Sequence, residues 1–179
     1  MKRDAIRFFM ICLVTIIIVS DGQGDQQKEQ IEQVQSYSSI DSVTHYLYKA
    51  ITFEAEQVPD WALFRSLFIP DARLARVTKE GVNEWDVEGF ISNFQERIEK
   101  ATITSFYEGE IKRKIHVYGG IAQVLSVYTK GVNQKDKEKL IRGVNLIQMI
   151  YHDGRWWIVS LIWQDEQPDL PIPKKLTRK

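Results

Sequence analysis

Arg142-Gly-Val-Asn-Leu-Ile-Gln-Met-Ile-Tyr-His-Asp-Gly-Arg-Trp-Trp-Ile-Val-Ser-Leu-Ile-Trp163 reads as two β-strands joined by a tight turn at His152-Asp153-Gly154. Asp-Gly between β-rich runs is a strong hairpin signal, because the turn needs positive φ and glycine adopts it at little cost. Clean alternation is missing. Leu146, Ile147, Met149 and Ile150, then Trp156, Trp157, Ile158, Val159, Leu161 and Ile162, put apolar groups on both faces. A strand that is apolar on both faces is covered on both. One expected cover is the chain's own helices, and the other is a second subunit. With a period of two, Trp157, Val159, Leu161 and Trp163 share one face, while Trp156, Ile158 and Ile162 share the other. A homodimer through the outer face of the sheet would remove the exposed patch this implies.

Working upstream, residues 106–117 and 121–130 read as two more strands around Gly119-Gly120, and a charged loop at 133–139 leads into the hairpin. Pro168, Pro171 and Pro173 close the sheet. Before these strands lie three helix patterns. Ser39 is a good N-cap for a helix with Val43, Leu47, Ala50 and Ile51 on one stripe. Asp60 caps a short helix at 61–68, bounded by Pro59 and Pro70. Asp86 caps a third, to about Lys100, with Val87, Phe90, Ile91, Phe94 and Ile98 at helical spacing. A short strand at 72–77 and a polar turn at 78–83 separate the last two. The pattern predicts an α+β fold: about three N-terminal helices packed on one side of a curved, mainly antiparallel sheet.

The 179 residues suit one domain plus a targeting segment. Met1-Lys-Arg-Asp-Ala-Ile-Arg7 is basic, residues 8–19 are apolar over the length of a signal-peptide core, and Ser20, Gly22 and Gly24 follow. Residues 1–24 are therefore expected to be a signal peptide, with no stable membrane anchor after cleavage and a periplasmic or secreted product. Residues 25–37, rich in Gln and Glu, read as a flexible linker. The domain proper is expected over 38–173, followed by a basic tail at 174–179. The single cysteine, Cys12, falls in the removed segment, so no thiol chemistry is expected of the mature chain. Net charge is zero for the whole chain and about −1 after cleavage, which is no footprint for nucleic acid.

The order of elements resembles the nuclear-transport-factor-2-like, or SnoaL-like, fold, a cone of helices against a strongly bent sheet. Several stretches are similar to a group of bacterial SnoaL-like proteins of unassigned function. They are Leu47-Tyr48, Asp60-Trp61, Phe64-Arg65-Ser-Leu-Phe68, Pro70-x-Ala72-Arg73-Leu74, Glu108-x-Glu110-Ile111-x-Arg113, Gly120-Ile-Ala122-x-Val124-x-Ser126-x-Tyr128, Arg142-Gly143-x-Asn145, Gly154-Arg-Trp-Trp-Ile-Val-Ser160 and Pro171-Ile-Pro173. The resemblance spans residues 40–173. It implies the cone fold but brings no reaction with it. That group often has His where this chain has Gln123. Steroid isomerases, relatives with known activity, place a carboxylate base just after the first strand, where Ala75-Arg76-Val77 supplies no acid. A steroid-isomerase mechanism is therefore not expected.

Alternation along 107–117 puts Tyr107, Gly109, Ile111, Arg113, Ile115 and Val117 on one face, with Arg113 the single charge. Glu108, Glu110, Lys112, Lys114 and His116 form the other face, expected to meet solvent. A charge on an apolar face needs an anion, either a protein carboxylate or a ligand. Asn145 interrupts an apolar strand face, and its amide would either orient a ligand carbonyl or make a structural hydrogen bond. Tyr46 and Tyr48 lie on the first helix, near where steroid isomerases carry a hydrogen-bonding Tyr. Trp163 ends the last strand and would line a pocket mouth. Arg113, Asn145, Tyr46, Tyr48 and Trp163 are thus the candidate ligand-binding residues. Asp165 and Glu166, just before Pro168, are expected to be exposed. The three His residues have no metal-ligand spacing, and no phosphate-binding or nucleophile motif is present, so neither a metal nor a cofactor is expected. The expected function is binding of a small, partly apolar molecule in the cone. Acid–base catalysis of the lyase or isomerase type and a purely structural or partner-binding dimer are the alternatives.

Overall fold

The computed structural model describes residues 37–177. The expected signal peptide and most of the expected linker lie outside the described residues. Tyr37, counted into that linker, belongs to the core: it is buried, and its carbonyl accepts from the Trp156 amide at 3.0 Å.

All three expected helices form where their caps stand. Helix α1 spans Ile40–Ile51 with Ser39 accepting from the Ser42 amide. Helix α2, Trp61–Ser66, is capped by Asp60, and helix α3, Val87–Glu99, by Asp86. Their apolar stripes (Val43 and Leu47; Phe64; Ile91 and Phe94) face one sheet. Its strands are β1 (Phe68–Val77), β2 (Val82–Trp85), β3 (Tyr107–Tyr118), β4 (Ile121–Gly131), β5 (Ile141–His152) and β6 (Arg155–Asp165). They lie in the order β2-β1-β6-β5-β4-β3. Every neighbouring pair is antiparallel except β1 with β6.

The hairpin expected at 142–163 is β5–β6. Asp153 (φ 51°) and Gly154 (φ 78°) both take the left-handed conformation its two-residue turn requires. Strand β1 is longer than the expected 72–77, and Val82 and Asn83, expected in a turn, begin β2. Both differences come from pairing. Strand β6 offers β1 a parallel partner from Phe68 onward, with the ladder interrupted between Phe68 and Arg73, where Pro70 has no N–H to donate.

Two β-bulges overturn the face assignments drawn from simple alternation. On β3, Glu110 pairs with Tyr128 and Lys112 with Val127, which leaves Ile111 as an extra residue. A one-residue slip exchanges the faces. Glu108, Glu110, Arg113, Ile115 and Val117 consequently share the inner side, and Lys112, Lys114 and His116 the outer. Glu108 and Glu110 are therefore absent from the solvent face expected for them, which keeps Lys112, Lys114 and His116. On β6, Gln148 pairs with Ser160 and Met149 with Ile158, so Val159 is the extra residue. Trp156, Ile158, Leu161 and Trp163 all face inward. The expected division of these residues between opposite faces is corrected in the same way.

The main core joins the inner faces of all layers: Leu47, Phe64, Leu67, Leu74, Ile91, Val124, Ile147 and Ile158 are essentially inaccessible to water. An aromatic chain runs from Phe106 through Phe94 and Phe90 to Trp163, which stacks on Trp85 at 5.9 Å between ring centres. The C-terminal turn α4, Lys174–Thr177, packs against β3, so the last segment crosses from β6 at one side of β5 and β4 to the far edge of the sheet.

Candidate functional site

A cavity of about 460 Å3 lies between the helices and the inner face of the sheet, toward the β6 C-terminus. Leu161 and Trp163 of β6, with Phe90 and Phe94 of α3, form its apolar wall. Glu108 of β3, Lys130 of β4, Asn145 of β5 and Asp165 of β6 form its polar wall, and Arg76 and Arg97 also line it. A larger groove of about 670 Å3, lined by Tyr107, Thr129, Arg142, Glu166 and Pro171 among others, is more open to solvent. Its one ion pair is already closed: Arg142 donates to both carboxylate oxygens of Glu166 at 2.7 and 2.8 Å. The cavity, the less open of the two, is the better candidate site.

Its polar wall is backed by a continuous hydrogen-bond chain. Asn145 Nδ2 donates to the Tyr48 hydroxyl at 3.0 Å and to Glu108 Oε1 at 3.3 Å. The Tyr48 and Ser126 hydroxyls are 2.6 Å apart, and Ser126 donates to Glu110. Because Ser126 spends its proton on that carboxylate, Tyr48 is the donor to Ser126. Burial, with the charge of Glu108 nearby, pushes the Tyr48 phenol above its ordinary range. Both Asn145 amide protons are committed in this chain. Only its carbonyl oxygen is left for a ligand, so it would accept a hydrogen bond where donation had been expected.

The two carboxylates on the wall are shifted in opposite directions. Burial pushes the Glu108 carboxyl up to about 7; the Lys130 charge and the Asn145 hydrogen bond pull the other way, and Asp165 adds to the rise. Burial alone would also raise Asp165, but Lys130, Tyr128 and Arg76 hold it below its ordinary value. Lys130 Nζ and the Tyr128 hydroxyl both reach Asp165 Oδ1 at 2.5 Å, and Arg76 Nη2 reaches Oδ2 at 2.8 Å. Gly143 makes this possible: a Cβ there would sit 2.2 Å from the Tyr128 ring and hydroxyl. Asp165, expected to be exposed, is in fact a largely buried anion.

Of the five candidate residues, Asn145 and Trp163 line the cavity. Tyr48 stands behind its wall, bonded to Asn145. Tyr46 packs edge-on against Tyr37 at 5.8 Å, with Lys49 over its ring, and is not part of the lining. Arg113 is also absent from the lining. Its anions are protein carboxylates: Glu110 Oε2 at 2.7 Å from Nε and Asp41 Oδ1 at 2.6 Å from Nη1. Sequence reasoning missed Glu108, Lys130, Asp165, Arg76 and Arg97. For Glu108 the sole sequence signal was its place in a pair of acids two apart on one strand. Among the described residues no group of three His, Cys, Asp or Glu side chains is placed to hold a metal ion.

A scan of protein-family models finds no match, and a search of curated proteins finds none either. Solved structures do match. An NTF2-like protein of unknown function from Silicibacter pomeroyi is 14% identical, with a TM-score of 0.52 over 76% of this chain and 98% of that one. LinA is 11% identical, with a TM-score of 0.55 over 79% of this chain and 90% of that one. A protein of unknown function with a cystatin-like fold from Nostoc punctiforme is 16% identical, with a TM-score of 0.50 over 82% of this chain and 95% of that one. At such identities the likeness speaks for the fold alone. Helices laid across a bent, six-stranded mixed sheet, and these likenesses, give the chain the nuclear-transport-factor-2-like, or SnoaL-like, fold.

Proposed function

We propose that the protein binds a small, partly apolar molecule in the cavity beneath Trp163. The observation that carries this reading is the cavity itself, about 460 Å3 with an aromatic wall facing a polar one. That volume lies within the usual range for ligand pockets, and a few convergent polar groups on an apolar lining are what fix a ligand's orientation. The cone is not filled by its own side chains, which counts against a purely structural role. Trp85 and Trp163 give the test a signal. Titration with 2-naphthol should quench tryptophan fluorescence saturably, and Leu161→Trp, which fills the cavity, should abolish the quench. No saturable binding of 2-naphthol or of similar flat bicyclic probes would refute the reading.

Glu108 favours a second reading, acid–base catalysis of the lyase or isomerase type. A carboxyl held to about 7 is divided between its two forms near neutral pH, as a group that both takes and returns a proton must be. With 2-tetralone as probe in D2O, wild type should speed exchange of the hydrogens α to the carbonyl, and Glu108→Gln should not. Equal exchange by the two proteins would dismiss Glu108 as the base.

A further inference from the structure

We infer that Arg76 and Arg97 form an anion site in the cavity, where they hold the carboxylate end of a flat apolar molecule whose body lies against Trp163 and Phe90. The inference rests on the cavity-binding reading above and names the class of ligand. Arg76 comes from β1 and Arg97 from the last turn of α3, and both line the cavity. Their commitments are incomplete. Arg76 gives Nη2 to Asp165, while its buried Nε has no hydrogen-bond partner. Arg97 has no carboxylate partner among the described residues, and its one recorded contact is with the face of Phe94 at 6.0 Å. Both cations line one cavity, so their charges oppose each other across it. A shared anion would turn that repulsion into attraction.

The charges of the lining agree. Arg76, Arg97 and Lys130 face only Asp165 and Glu108, and burial keeps Glu108 partly protonated near neutral pH. The cavity therefore carries surplus positive charge. Lys130 and Asp165 satisfy one another at 2.5 Å, so the surplus sits on the arginines. A planar two-oxygen anion fits the guanidinium fork, and an aromatic body fits Trp163 and Phe90. Asn93, one turn before Arg97 on α3, also lines the cavity and adds a neutral donor.

The test compares 2-naphthoate with 2-naphthamide, equal in shape and different in charge, by calorimetry at pH 7.5 and low salt. On wild type the carboxylate should bind at least tenfold more tightly. Arg97 is exposed at the end of its helix, so Arg97→Gln should leave the fold intact, which circular dichroism would verify. That variant should erase most of the gap, and Arg97→Lys should keep part of it. Raising the salt should narrow the wild-type gap. Equal affinities on wild type, or a gap that survives Arg97→Gln, would overturn the anion site while leaving the cavity reading standing. Failure of both probes to bind would remove the cavity reading and the anion site with it.

Discussion

At Glu108 folding and ionisation oppose one another. Burial lifts the carboxyl from an ordinary 4.5 to about 7, so the folded chain holds the proton more tightly than the unfolded one. The stability this proton contributes is fully present below about pH 4.5 and is lost as pH rises to about 7, by at most about 3 kcal/mol. Glu108→Gln keeps an oxygen for Asn145 and has nothing to ionise. Its stability relative to wild type should therefore improve between pH 5 and pH 8, measured by urea unfolding at both; a constant difference would mean that Glu108 ionises freely. Arg113 presents the contrasting case. Its partner Glu110 is largely buried, whereas Asp41 is exposed and adds little. Arg113→Ala should cost the unliganded protein roughly 3 kcal/mol, the low end for breaking a buried pair, because Ser126 still donates to Glu110. A loss below about 1 kcal/mol in the same melts would contradict the pairing.

At the scale of the element, two bulges decide what the cavity contains. The extra residue Val159 turns Leu161, Trp163 and Asp165 toward the helices, and the extra residue Ile111 brings Glu108 and Arg113 to the same side. Deleting Val159 would remove the extra residue itself: Ile158 and Ser160 would follow one another opposite Met149 and Gln148, and Leu161, Trp163 and Asp165 would keep their inward places without a bulge. The deletion variant should therefore keep the near-ultraviolet signal of packed tryptophans and unfold cooperatively. Loss of that signal and of cooperative unfolding would mean that Val159 is not the extra residue of the ladder. The turns behave differently, because a turn is a local matter. Asp153-Gly154 needs positive φ at both residues and has side chains that tolerate it.

For the whole molecule, the open question is what covers the outer face of the sheet. With Trp156, Ile158, Leu161 and Trp163 all turned inward, the outer face is less aromatic than plain alternation implies. It still presents Leu125, Val144, Leu146, Ile150 and Ile162 around its centre, with Ile162 40% exposed. An apolar band of this kind favours self-association about a two-fold axis. Light scattering at micromolar concentration should give twice the mass of the mature chain, and Ile162→Lys should give half of that. A monomeric wild type would reject the dimer. Export is testable separately. N-terminal sequencing of protein recovered from outside the cytoplasm should begin near Asp25, and recovery of Met1 would leave an anchored domain instead.

Local chemistry was legible from the sequence. Ser39, Asp60 and Asp86 marked all three helix starts, Asp153-Gly154 marked the hairpin, and the order of periodic stretches implied an α+β cone. Each of these depends on residues within a turn or two of one another. Which side chains share the cavity was a different kind of question. Asn145 and Trp163 were found because an amide on an apolar strand, or an aromatic at a strand end, stands out in one dimension. Glu108, Asp165, Arg76 and Arg97 were not found. Their inward placement depends on bulges and strand pairings set by hydrogen bonds between distant segments. Ile111 and Val159 carry no glycine or proline to announce an extra residue. A single uncounted residue reverses every face beyond it, so the composition of the site was decided by strand register, which only the tertiary structure supplies.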